Sequence, residues 1–151
     1  MYRKLTLLLF CCYTLQGTPL LSQEATLTRT LSSFSEIKVF DGISVTLIRG
    51  DKNEAIIKGA NTDDVAIVVT DGILKIRMKV NKIFSGYRTF VDVYYKQPLG
   101  VIDVNEDARI ISEEVIRQEV LEVKAQEGGE VQVRAEVTQF LIKAVTGGLI
   151  T

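Results

Sequence analysis

Apolar and polar residues alternate with a period of two along most of this chain, and that pattern predicts strands rather than helices. Phe34, Ile37 and Val39, then Ile43, Val45 and Leu47, flank the turn signal Asp41-Gly42, so a hairpin is expected here. A third strand is expected at 55–58, after Gly50-Asp51-Lys52-Asn53, a run whose Gly, Asp and Asn tolerate positive φ or form Asx turns. Asn61 to Asp64 could start one helical turn, but Val65 to Val69 is mostly β-branched and reads as a buried strand. Thr70-Asp71-Gly72 turns the chain into a strand over 73–80, with Leu74, Ile76, Met78 and Val80 on one side and Lys75, Arg77 and Lys79 on the other. A polar loop over 81–88 leads to a strand from Phe90 to Tyr95, with Phe90 assigned to the core.

The last third, Val101 to Thr151, repeats about every 19 residues. Leu121-Glu122-Val123-Lys124-Ala125 is followed by Gly128-Gly129, Ile142-Lys143-Ala144 by Gly147-Gly148, and Ile102-Asp103-Val104-Asn105 is an earlier, degenerate copy. Self-similarity at such a period marks stacked units that bury their apolar faces against one another. Leu121, Val123 and Ala125, then Val131, Val133, Ala135 and Val137, alternate with polar residues, giving one wet face. A helix over Ser112 to Gln126, capped by Ser112 and Gly128, competes with this reading, but its apolar residues form no single stripe.

The first residues follow a different pattern. Arg3-Lys4, the apolar run from Leu5 to Leu15 and the small-residue site at Ser22 have the layout of a secretory signal peptide over 1–22. The run is too short to span a membrane, which takes roughly 20 residues, and bulky Phe10 before Cys11 disfavours a lipid anchor. A Thr/Ser-rich leader over 23–33 follows, then an antiparallel β-sheet region over 34–96 and the repeat region over 101–151. With two Gly-Gly turns and no cap, the repeat is either a short stack or the start of a longer one.

Export changes the chemistry at hand. Both cysteines, Cys11 and Cys12, lie in the signal, and the chain has no histidine or tryptophan. A disulfide framework, a Cys/His zinc cluster, an imidazole base and a Ser/His/Asp set are therefore excluded from the mature chain. Losing Arg3 and Lys4 from 18 basic residues against 19 acidic ones gives a mature charge of −3, which suggests no nucleic-acid partner.

The order Phe34-x-x-Ile37-x-Val39, Asp41-Gly42-Ile43-Ser44-Val45-x-Leu47, Asp71-Gly72-x-Leu74-x-Ile76 and Val91-x-Val93, running into Gly-centred repeats, resembles the head GIN domain family. The name motif of that family falls on Gly42-Ile43-Ser44, with serine in place of asparagine, and its Gly-Ser-Gly turns correspond here to Gly-Gly. The resemblance covers 34–151. It implies a right-handed β-helix or β-solenoid-like stack similar to pectin-lyase helices, no catalytic set, and an adhesive role in Gram-negative bacteria of the Bacteroidetes type.

Three constellations are candidates for function. Asp103-x-Asn105-x-Asp107 with Glu114 has the oxygen-ligand spacing of a calcium loop, although Ala108 stands where the sharp turn needs glycine and the residues also read as a solvated acidic face. Lys75, Arg77 and Lys79, with Tyr87, Arg88 and Tyr94, put cations beside aromatic faces that can stack on sugars, whereas lysines on exposed strands also guard against edge aggregation. The carboxylates Asp63-Asp64, Glu113-Glu114 and Glu127/Glu130 are poor acid/base pairs, because adjacent strand residues point to opposite faces. The expectation is an exported, non-catalytic, all-β module without cofactor that binds a glycan or protein at the cell surface or in the envelope, with no transmembrane segment in the mature chain. The alternatives are an envelope scaffold and, third, a polysaccharide-acting enzyme. The apolar end Gly147 to Thr151 is expected to pair with another chain as a homo-oligomer.

Overall fold

The structure, a computed structural model, describes residues 26–83 and 85–151. The expected signal peptide, both cysteines and the first residues of the expected leader lie outside them, as does Phe84. Among the described residues eleven strands form one curled, mixed sheet: β1 (Leu27–Thr30), β2 (Glu36–Val39), β3 (Ser44–Arg49), β4 (Glu54–Gly59), β5 (Val65–Thr70), β6 (Ile73–Met78), β7 (Thr89–Tyr95), β8 (Val101–Val104), β9 (Arg109–Ala125), β10 (Glu130–Ala144) and β11 (Leu149–Ile150). Among the described residues the helical pieces are single 3₁₀ turns. None of their helices is long and apolar enough to cross a membrane.

The sheet has two wings. In one, β1, β4, β7 and β3 lead to the first halves of β9 and β10 and to β11. In the other, β5, β6, β2 and β8 lead to the second halves of β9 and β10. Pairing is parallel except at β1·β4, β4·β7 and β5·β6. The hairpin expected at Asp41-Gly42 is not formed: β2 pairs with β6 and β8, while β3 pairs with β7 and β9. Two successive positive φ values, at Asp41 (61°) and Gly42 (75°), are the hairpin signature, but here they turn the chain from one wing into the other. The antiparallel sheet expected over 34–96 is thus only partly antiparallel.

The same corner recurs at Glu106-Asp107, Glu127-Gly128 and Thr146-Gly147, all with positive φ. These turns stack through their backbones. Gly42 N–H donates to Glu106 C=O at 2.8 Å, Asp107 N–H to Glu127 C=O at 3.0 Å, and Gly128 N–H to Thr146 C=O at 3.2 Å. The approach is so close that a Cβ at Gly148 would stand 2.1 Å from the carbonyl oxygen of Ala125, so only glycine fits there.

The core lies in the fold between the wings. Ile37, Val39, Leu74, Ile76, Ile102, Val104, Val123 and Ala125 come from one wing and Val45, Leu47, Ile57, Val91, Val93 and Ile110 from the other, all buried. Two residues assigned to the core from the sequence lie outside it. Phe90 is 49% exposed because the inward set of β7 is Thr89, Val91, Val93 and Tyr95. Val80 is 80% exposed because β6 stops at Met78. Of the region read as strand or helix over 112–126, residues 112–125 are strand, within β9.

Candidate binding face

On the second wing, β2, β6 and the end of β9 alternate inward and outward side chains, β8 buries Asp103 as well as Ile102 and Val104, and this half of β10 is exposed at every position. Parallel, unshifted register places the outward residues Lys75, Lys38, Asp103, Lys124 and Lys143 side by side across five strands. At about 4.8 Å per strand, Lys75 and Lys143 are roughly 19 Å apart along this row. Lys38 Nζ lies 3.0 Å from Glu36 and 3.6 Å from Asp103, and Lys124 lies 3.1 Å from Glu122. The bond to Glu36, helped by the charges of Glu36 and Asp103, holds the Lys38 ammonium above the usual lysine range. Lys75 and Lys143 are exposed and carry no ion pair among the described residues.

Arg77 faces out one position further along β6, its guanidinium 5.7 Å from the ring centre of Phe40 and 3.9 Å from the Asp41 carboxylate. Lys79 donates from Nζ to the backbone carbonyl of Asp63 at 2.6 Å, at the end of the same strand. Tyr87 and Arg88 form the 3₁₀ turn Gly86–Arg88 beside the corner. The Tyr87 hydroxyl donates to Asp107 Oδ2 at 3.0 Å, and this bond pushes the phenol up from its ordinary value. Tyr94 lies on β7 in the other wing, with Lys52 Nζ 5.6 Å from its ring centre. The structure therefore brings Lys75 and Arg77 together and adds Lys38, Lys124 and Lys143, which sequence reasoning missed. It sends Tyr94 elsewhere. The available signal was that Asp103, Lys124 and Lys143 occupy the same place in the copies beginning Ile102, Val123 and Ile142.

The corner beside this face is acidic. Asp41, Glu106 and Glu127 occupy equivalent left-handed positions in the stacked turns. Asp41 is fully buried, and its Oδ2 accepts from Met78 N–H at 3.0 Å. Burial, then the adjacent Asp41 carboxyl, raises the Glu106 carboxyl above the usual carboxylate range. Of the calcium-spaced residues, Asp103 and Asn105 are buried and bonded to each other at 3.0 Å, and Asn105 Oδ1 accepts from Gln126 at 2.6 Å. Asp107 accepts from Tyr87, and Glu114 lies along a groove with Arg49, Tyr95 and Arg117. No three acidic side chains among the described residues converge as a metal-holding group. A second, open groove of about 550 Å³ runs between Pro98-Gly100 and residues 117–120 of β9.

The model of a family described as "putative auto-transporter adhesin, head GIN domain" matches residues 33–151. Among solved structures, a "putative adhesin" from Bacteroides fragilis NCTC 9343 is 13% identical, with a TM-score of 0.75 over 85% of this chain and 62% of that one. A "putative adhesin" from Parabacteroides distasonis ATCC 8503 is 18% identical, with a TM-score of 0.67 over 82% of this chain and 54% of that one. A "putative lipid binding protein" from the same strain is 17% identical, with a TM-score of 0.61 over 77% and 51%. The chain thus spans between about half and two thirds of the length of these structures. At such identities the likeness is one of fold. No curated protein matches the sequence.

Proposed function

Because this chain belongs to the head GIN domain family, we propose that it is a non-catalytic binding module, exported by a signal peptide over 1–22 to the periplasm, outer-membrane surface or cell exterior, where it engages a glycan or a protein. On this reading the two wings are faces of a short β-solenoid: a β-sheet region over 34–96 carries the repeat region over 101–151. A stack of this kind binds by area along one face and needs no convergent pocket. The observation that carries the reading is the broad outward row of Lys75, Lys38, Lys124 and Lys143, held in register across five strands.

The test is retention of the purified chain on glycan arrays and on immobilised matrix proteins, with parallel incubation of a polysaccharide panel. Retention without release of reducing ends or unsaturated sugars supports the reading. Release of sugars on the panel would make the protein an enzyme instead.

One observation favours a second reading, an envelope scaffold. Beyond Val133, the edge of β10 that faces away from β9 has no strand partner among the described residues, and Phe140, Leu141 and Ile142 along it are 41–58% exposed. Unpaired apolar edges associate, so concentration-dependent oligomers without ligand retention would favour the scaffold.

A further inference from the structure

We propose that the outer face of the second wing is a site for a linear acidic polysaccharide, laid across the strands along the row from Lys75 to Lys143. The proposal rests on the adhesion reading and narrows its ligand to a polyanion. This face carries an excess of cations, with Arg77 at its border 3.9 Å from the corner carboxylate Asp41. This face carries Lys38, Lys75, Arg77, Lys124 and Lys143 against Glu36, Asp103 and Glu122, whereas the whole chain has a net charge of −1. The acidic residues Asp41, Glu106, Asp107 and Glu127 gather at the corner instead.

The row also places like charges side by side. Lys38 is the register neighbour of Lys75, and Lys124 that of Lys143, an arrangement that is destabilising between adjacent strands. Glu36 and Glu122 answer only the inner lysine of each pair, which leaves Lys75 and Lys143 as exposed ammonium groups at the two ends. Buried Asp103, braced by Asn105, occupies the centre of the row and holds Lys38 beside it. The result is a row of two lysine pairs, each at the strand spacing, on either side of the central Asp103. A polymer with one anionic group per monosaccharide presents charge at a comparable repeat, and it would relieve the repulsion within both lysine pairs. A neutral glycan would not.

The test titrates the whole chain with polygalacturonate by calorimetry, with neutral dextran and phosphatidylglycerol vesicles as comparison probes. The parent chain should bind polygalacturonate, more weakly as salt rises, and leave dextran unbound. Lys75→Gln with Lys143→Gln changes two exposed side chains, so the fold should persist by circular dichroism, while affinity falls about tenfold or more. Lys52→Gln, on the other wing, should change nothing. Unaltered affinity in the double variant would overturn the proposal, as would equal binding of dextran. Binding to the vesicles but not to polygalacturonate would replace it with a membrane surface. Retention on neutral glycans or matrix proteins without polygalacturonate binding would overturn it and leave the adhesion reading standing.

Discussion

Gly42 lies directly beneath the ring of Tyr87: a Cβ at Gly42 would stand 2.9 Å from two ring carbons. Its φ of 75° is left-handed as well. Gly42→Ala should therefore lose about 1–2 kcal/mol to the backbone alone, and more to displacement of the ring and of its bond to Asp107. Tyr87→Ala in the same chain should recover the second part, which a double-mutant cycle of urea melts would measure as coupling.

Neighbouring positions on β9 should differ sharply. Leu121 is fully buried and Val120 is 45% exposed. Leu121→Ala should cost about 2–5 kcal/mol, and Val120→Ala no more than about 0.5 kcal/mol. Equal losses would contradict the strand parity assigned here.

The strand pattern was legible in the sequence because period-two alternation directly reports one buried face. It located β3, β6 and β7 and rejected a helix over β9. Pairing was less legible. Asp41-Gly42 takes two successive positive φ values in a hairpin and in a corner alike, and only the strand partners of β2 and β3 separate the two. Phe90 was misplaced because its parity on β7 also carries the ring of Tyr94, while Asp92 between them marks that parity as the outward one. The lysine row escaped notice because Lys38 and Lys75 join Lys124 and Lys143 only through cross-strand register with Asp103.

Stability should respond to pH through Glu106. Its folded carboxyl is raised, first by burial and next by Asp41. A raised carboxyl favours folding fully below the unfolded glutamate value of about 4.3, and that contribution is lost as pH rises through the folded value. Glu106→Gln keeps the shape without the ionisation. It should melt above the parent at about pH 7–8, with the difference shrinking toward acid; thermal melts across that range would show it.

In a protein of these 151 residues, the edge of β10 beyond Val133, unpaired among the described residues, should govern self-association. Ile142 is 58% exposed there, and a charge on an open edge blocks pairing. Ile142→Lys should lower the mass measured by light scattering at high concentration while leaving the melting temperature within a few degrees.

Lysine footprinting by mass spectrometry tests the binding face most directly. The chain is acetylated free and while bound to an acidic polysaccharide, and modification is read at each lysine. Protection of Lys38, Lys75, Lys124 and Lys143, with Lys52, Lys58 and Lys96 modified as before, is the predicted result. Protection confined to Lys52, Lys58 or Lys96, with the row left reactive, would contradict it.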